Sequence, residues 1–121
     1  MKTKKSWMVP SIEAAFEKAG RPKVDFSVFP EDLREHMEGY YNAVVVVEAV
    51  NEGAKPDWEK STLKWAPWFR MAPSGFAFCG SGYDITGAIA GSGSRLRLES
   101  EEKSNYVATQ FPEVWKAVQL K

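Results

Sequence analysis

The spacing of apolar positions divides the chain into helical and extended segments. Ile12, Ala15, Phe16 and Ala19 recur at helical spacing behind Ser11, an N-cap residue type. Gly20 and Pro22 close the segment, so a short helix is predicted over Ser11 to Ala19. Val24, Phe26 and Val28 alternate with other residues, which predicts a short extended piece. The longest helical pattern runs from Pro30 to about Glu52. Pro30 suits the first helical position, and Glu31 and Asp32 favour the positive end of the helix dipole. Leu33, Met37, Tyr40, Tyr41, Val44 and Val47 form one apolar stripe, and Gly53 is a C-terminal stop. The run Val44 to Val47 is strand-like on its own, but the caps and periodicity on both sides favour helix. Such a helix would be about 33 Å long and would form the spine of the domain.

Beyond Lys55 the pattern changes. Lys55-Pro56-Asp57-Trp58 reads as a turn. Leu63 to Met71 is extended and aromatic, with Pro67 arguing for an edge strand or an irregular start. Pro73-Ser74-Gly75 is a second turn, Phe76 to Gly80 a strand, and Tyr83 to Ala90 a continuation of the pairing. After the turn Gly91-Ser92-Gly93, Arg95-Leu96-Arg97-Leu98 alternates as a half-buried strand does. Ser100 caps a last helix whose apolar face is Tyr106, Val107, Phe111, Val114, Trp115 and Val118, and Pro112 kinks it or starts a new turn. The expected fold is therefore α+β: a small antiparallel sheet of three to four strands packed against a long central helix and a C-terminal helix.

Length places all 121 residues in a single domain, with residues 1–10 as a flexible basic arm. The 16 basic and 16 acidic side chains cancel, but not locally. Residues 1–24 carry net +4, residues 25–60 net −6, residues 61–98 net +3 and the remainder −1. This balance argues against a strongly basic nucleic-acid binder. A single cysteine, Cys79, excludes a disulfide scaffold, suits a reducing cytoplasm, and reads as a small buried hydrophobe. The basic N-terminus has no apolar stretch after it, and the longest apolar run, Ala43 to Val47, is far short of a membrane span. No membrane association is expected.

Candidate chemistry is sparse. Gly82 and Gly87 have the spacing of two phosphate-loop glycines, but Ala88 and Ile89 stand where Lys and Ser or Thr are required, so the glycines read as turns. The lone His36 lies near Asp32, Glu35 and Glu38 on a helix surface, without the Cys and His cluster of a structural metal site. Neither a catalytic set, a metal nor a cofactor is predicted. The aromatics are the one concentrated feature. Of 16 in the chain, seven lie between Trp58 and Tyr83, with Lys60, Lys64, Arg70, Arg95 and Arg97 nearby. Much of this cluster must fill the core of a small domain. Trp58, Trp65, Trp68, Arg70, Arg95 and Arg97 are the candidate binding residues. They suit a protein partner or homo-oligomer contact, and alternatively single-stranded nucleic acid stacked on the aromatics. If Leu96 and Leu98 face the helices, Arg95 and Arg97 both face outward.

Several short motifs carry a resemblance. Asn51-Glu52-Gly53, Lys55-Pro56-Asp57-Trp58, Pro67-Trp68-Phe69, Ser74-Gly75-Phe76, Ser94-Arg95-Leu96 and Gln110-Phe111 together resemble a family of small uncharacterised proteins encoded by bacteriophages and prophages of gut bacteria, over about residues 39–118. The chain departs from that pattern at Ala54, where an aromatic is usual, and in the glycine-rich stretch 80–93. The resemblance implies a phage-type accessory protein of the bacterial cytoplasm, or one packaged with a virion. It implies no role for any particular residue.

Overall fold

A computed structural model describes residues 5–72, 75–88 and 94–121. The first helix, α1 (Ile12–Ala19), forms as its caps dictate: Ser11 Oγ accepts from the Ala14 N–H at 3.1 Å. Gly20 takes the left-handed conformation, φ 69°, from which its N–H reaches the Phe16 carbonyl. Residues 24–28 are not extended as predicted. They form a 3-10 turn at Phe26–Val28, held by the Asp25 carboxylate accepting from the Ser27 N–H at 2.9 Å. A local side-chain cap outcompetes an alternation that has no second strand to pair with.

The long helix α2 (Glu31–Val50) is the spine. Pro30 sits one position earlier than predicted, as its N-cap. Of the predicted stripe Leu33 is exposed and Met37, Tyr40 and Tyr41 are half-buried, whereas from Ala43 to Val50 only Glu48 escapes burial. The strand-like valines are thus helical residues enclosed from every direction. Burying a valine contributes about 1.5–3 kcal/mol, against a helix-propensity cost below about 0.7 kcal/mol, so packing decides. α2 meets α1 and, later in the chain, α3 (Glu101–Gln110) and α4 (Pro112–Leu120). The predicted C-terminal helix is these two helices. Pro112 opens α4 at a position that needs no N–H, and Phe111 before it leaves helical geometry. At the α2–α4 crossing a Cβ on Gly39 would collide with the Cβ of Ala117, so glycine there sets the helix separation.

The sheet is smaller than predicted: among the described residues it has two strands, β1 (Lys64–Ala72) and β2 (Gly75–Asp84), in an antiparallel hairpin. Pro67 is accommodated because a two-stranded hairpin has only edge strands. The register shifts between Pro67 and Phe69, where β2 holds one extra residue at Cys79 and Gly80, the latter at φ 115°. The expected fourth strand is a 3-10 turn at Ser94–Leu96, followed by a single antiparallel bridge from Leu98 to Trp65. Residues 89–93, including the predicted Gly91-Ser92-Gly93 turn, lie outside the described residues, as do 1–4 and 73–74. Within the expected basic arm, Val9 is buried and its carbonyl accepts from the Tyr106 hydroxyl at 2.7 Å, while Trp7 packs edge-on against the Tyr106 ring. Burial pushes that phenol above its ordinary range.

α1 and α2 are also clasped by a two-point ion pair. Arg21 Nε and Nη2 donate to the two Glu48 carboxylate oxygens at 2.7 and 2.6 Å. This bond holds the Glu48 carboxyl below its ordinary range, and Arg95 and Lys55 add to the effect. A carboxylate so depressed stabilises the fold above its unfolded pKa and loses that contribution as pH falls. The stability difference between the wild type and Glu48→Gln should therefore be largest near neutrality and shrink as pH drops below 4.5, as checked by urea melts across pH. Gly39→Ala separates two effects. Propensity alone predicts a gain of about 1 kcal/mol, whereas the clash with Ala117 predicts a net loss of about 1–2 kcal/mol by the same melts.

Candidate functional site

The hairpin sorts its residues by strand parity. Trp65, Phe69, Phe76 and Phe78 share the inner face. Phe69 stacks between Phe76, at 4.6 Å, and Trp115 of α4, at 5.9 Å. Ser81 donates to the Asn105 side chain at 2.7 Å and shares a 2.7 Å hydrogen bond with Ser104, which fixes the hairpin to α3. Trp65 is half-buried here, tilted against Tyr83. It is a packing residue.

Trp68 and Arg70 have the opposite parity and are exposed. The Trp68 side chain is 63% exposed. Its indole nevertheless has a fixed seat. A Cβ on Gly82 would strike the indole Nε1, so the ring rests on backbone that only glycine leaves bare. Cys79 is on this face as well, not buried as predicted: alternation from Phe76 and Phe78 turns its thiol outward, 3.5 Å from the Trp68 carbonyl.

The remaining candidates lie elsewhere. Leu96 and Leu98 point inward as predicted, but only Arg95 is outward. Arg97 is 6% exposed and meets Asp84 at 2.8 Å. The predicted outward pair of arginines therefore does not exist, because the backbone after Ser94 turns and does not run as a strand. Arg95 instead lines a hollow of about 210 Å³ with Lys55 and Glu48. Trp58 is half-buried, with its ring 5.1 Å from the Lys64 ammonium. The six predicted residues thus do not form one patch: Trp68 and Arg70 share the outer hairpin face, Trp58 lies against Lys64, Arg95 and Arg97 border one hollow, and Trp65 packs on the inner face.

Two residues missed in the sequence organise this region. The Asn51 amide donates to the Arg97 carbonyl at 2.9 Å and accepts from the Glu99 N–H at 3.2 Å. It treats segment 97–99 as a neighbouring strand would, while Leu98 exchanges both backbone hydrogen bonds with Trp65 on the other side. Lys64 is the second, at 2% exposure, its ammonium donating to the carbonyls of Lys60 and Ile85. The signal for Asn51 was its position: a polar residue ending a buried apolar helix must find polar partners.

Among the described residues, no group of three His, Cys, Asp or Glu is placed to hold a metal ion. Among them, too, no helix is long and apolar enough to cross a membrane. The chain matches no protein-family profile, no curated protein and no solved structure.

Asn51→Leu keeps the volume and removes both hydrogen bonds, leaving a buried carbonyl and an N–H unsatisfied. It should cost about 2–4 kcal/mol in denaturant melts and expose the 97–99 amides to hydrogen exchange, with α1 protection retained.

Proposed function

We propose that the protein acts by binding another protein, or a second copy of itself, through the outer face of its hairpin. The observation that carries this is the seating of Trp68. A large apolar ring that is exposed yet held on Gly82 beside Arg70 offers contact area without first having to be ordered. Trp and Arg are the side chains on which binding energy concentrates. Beyond the Trp65–Leu98 bridge, the edges of the two-stranded hairpin add backbone groups that an incoming strand can pair with. The reading is of a binding protein rather than an enzyme. Its setting, an accessory role in a phage or prophage within the bacterial cytoplasm, is supported by the motif resemblance and by the exposed thiol of Cys79, which suits a reducing compartment.

Single-stranded nucleic acid would use the same face, by stacking on Trp68. The burial of Arg97 against Asp84 removes one cation from that surface and favours the protein partner.

Sedimentation velocity from micromolar to near-millimolar protein tests the reading. Self-association should appear in the wild type and weaken at least about 30-fold in Trp68→Ala/Arg70→Ala, as expected for loss of about 2 kcal/mol or more at a central anchor. The melting temperature should hold, since both side chains are exposed. A strict monomer that binds a labelled oligonucleotide with salt-dependent affinity would shift the reading to nucleic acid. A strict monomer for which the double variant alters no interaction would overturn it.

A further inference from the structure

A cleft of about 310 Å³ lies between the segment after α2 and the start of β1. Its charged lining residues are Lys55, Asp57, Lys60, Lys64, Arg97 and Glu99, four cations against two carboxylates. Neither carboxylate is uncommitted: Glu99 pairs with Lys103 at 2.6 Å, and Asp57 meets Lys60 at 3.9 Å.

Two of the cations are almost wholly withdrawn from water, Lys64 at 2% exposure and Arg97 at 6%. Burying a charge costs several kcal/mol unless it is compensated. Arg97 has the Asp84 carboxylate at 2.8 Å. Lys64 has no carboxylate within 4.0 Å among the described residues. An ammonium carries three N–H donors. Two go to the Lys60 and Ile85 carbonyls, the Trp58 ring lies at 5.1 Å, and Asp84, directly across the hairpin, turns its carboxylate to Arg97. The cleft is thus lined by a buried cation with a donor to spare, beneath a rim of exposed lysines.

We propose that this cleft is a binding site for a small phosphate-bearing anion, with Lys64 as its buried anchor and Lys55 and Lys60 closing over it. With Arg97 balanced by Asp84, Lys55, Lys60 and Lys64 face Asp57 and Glu99, an excess of one positive charge that a bound anion would neutralise. Lysine serves phosphate as a point charge, without the planar fork a carboxylate prefers. The volume is at the lower end for small-ligand pockets, roughly 300–1,000 Å³, which suits inorganic phosphate or a compact phosphomonoester. These two sources share the same chemistry.

The full chain should be titrated with inorganic phosphate, with a nucleoside monophosphate, and with acetate at matched ionic strength. Amide shifts and melting temperature are the readouts. Phosphate should shift amides of residues 55–64 and 97–99 saturably and raise the melting temperature by about 4–8 °C at ten times the dissociation constant. Acetate should bind at least about tenfold more weakly, each factor of ten being 1.4 kcal/mol. Tighter binding of the nucleoside monophosphate identifies an esterified ligand, and equal or weaker binding identifies free phosphate. Lys64→Met should abolish binding. Lys55→Ala/Lys60→Ala, confined to exposed side chains, should weaken it at least about fivefold without changing the phosphate-free melting temperature, so the test survives if Lys64→Met does not fold. Shifts that do not saturate, that acetate reproduces, or that the double variant leaves unchanged would overturn the proposal and leave Lys64 a structural cation.

Discussion

Enclosure of the second half of α2 governs the architecture. From Ala43 to Val50 the helix has almost no polar face, so it cannot lie at a surface. Something must cover each side, and the rest of the chain supplies the covers. α1 is clasped to it by the Arg21–Glu48 pair, α4 approaches closely at Gly39, and Leu96 and Leu98 bury from the segment before α3. Glu48, the one residue of that stretch to escape burial, is where the charged clasp forms. Asn51 marks the end of the enclosed region, where backbone polar groups must again be met.

The hairpin is outside this enclosure, and that explains its division of labour. It attaches through Phe69 on Trp115, through Ser81 on α3 and through the Trp65–Leu98 bridge. All these contacts come from its inner face or its base. Nothing in the packing of α2 requires the outer face to be covered, so Trp68 and Arg70 remain exposed, while of the other aromatics of the cluster only Tyr83 is also exposed. The aromatic density of residues 58–83 therefore has two causes: filling the space beside α3 and α4, and presenting Trp68 on the outer face and Tyr83 at the base of the hairpin.

Legibility in the sequence tracked how local the deciding interaction was. α1, the ends of α2 and the break at Pro112 rest on caps and proline chemistry within a few residues, and they were readable. The α+β class was also readable, from the order of periodicities. The strand count was not, because Arg95 to Leu98 shows the same alternation in a 3-10 turn followed by one bridge as in a strand. What separates the two is Asp84, which draws Arg97 inward, and Asn51, which replaces a neighbouring strand with one side chain. Both partners are distant in sequence. Cys79 was misread for a different reason: its residue type outweighed its parity, since alternation from Phe76 and Phe78 already turns position 79 outward. Of the candidate site residues, Trp68 and Arg70 follow from parity alone, whereas the burial of Arg97 and Lys64 depends on contacts across the fold.

The chain's formal neutrality has a different meaning at each place. Between α1 and α2 it is local pairing, cation against carboxylate at hydrogen-bond distance. Between β2 and segment 97–99 it is a pair at 2.8 Å, a half-buried carboxylate that holds the buried Arg97 in place. At Lys64 it is incomplete: the charge is buried, two carbonyls and a ring attend it, and the carboxylate across the hairpin, Asp84, pairs with Arg97. Carbonyl dipoles solvate an ammonium but do not neutralise it. A fold that keeps this lysine inside, beside a cleft already rich in cations, carries a standing electrostatic cost that an apolar side chain at the same position would remove. An anion in the cleft offsets that cost directly, so the same charge that burdens the empty fold strengthens the occupied one.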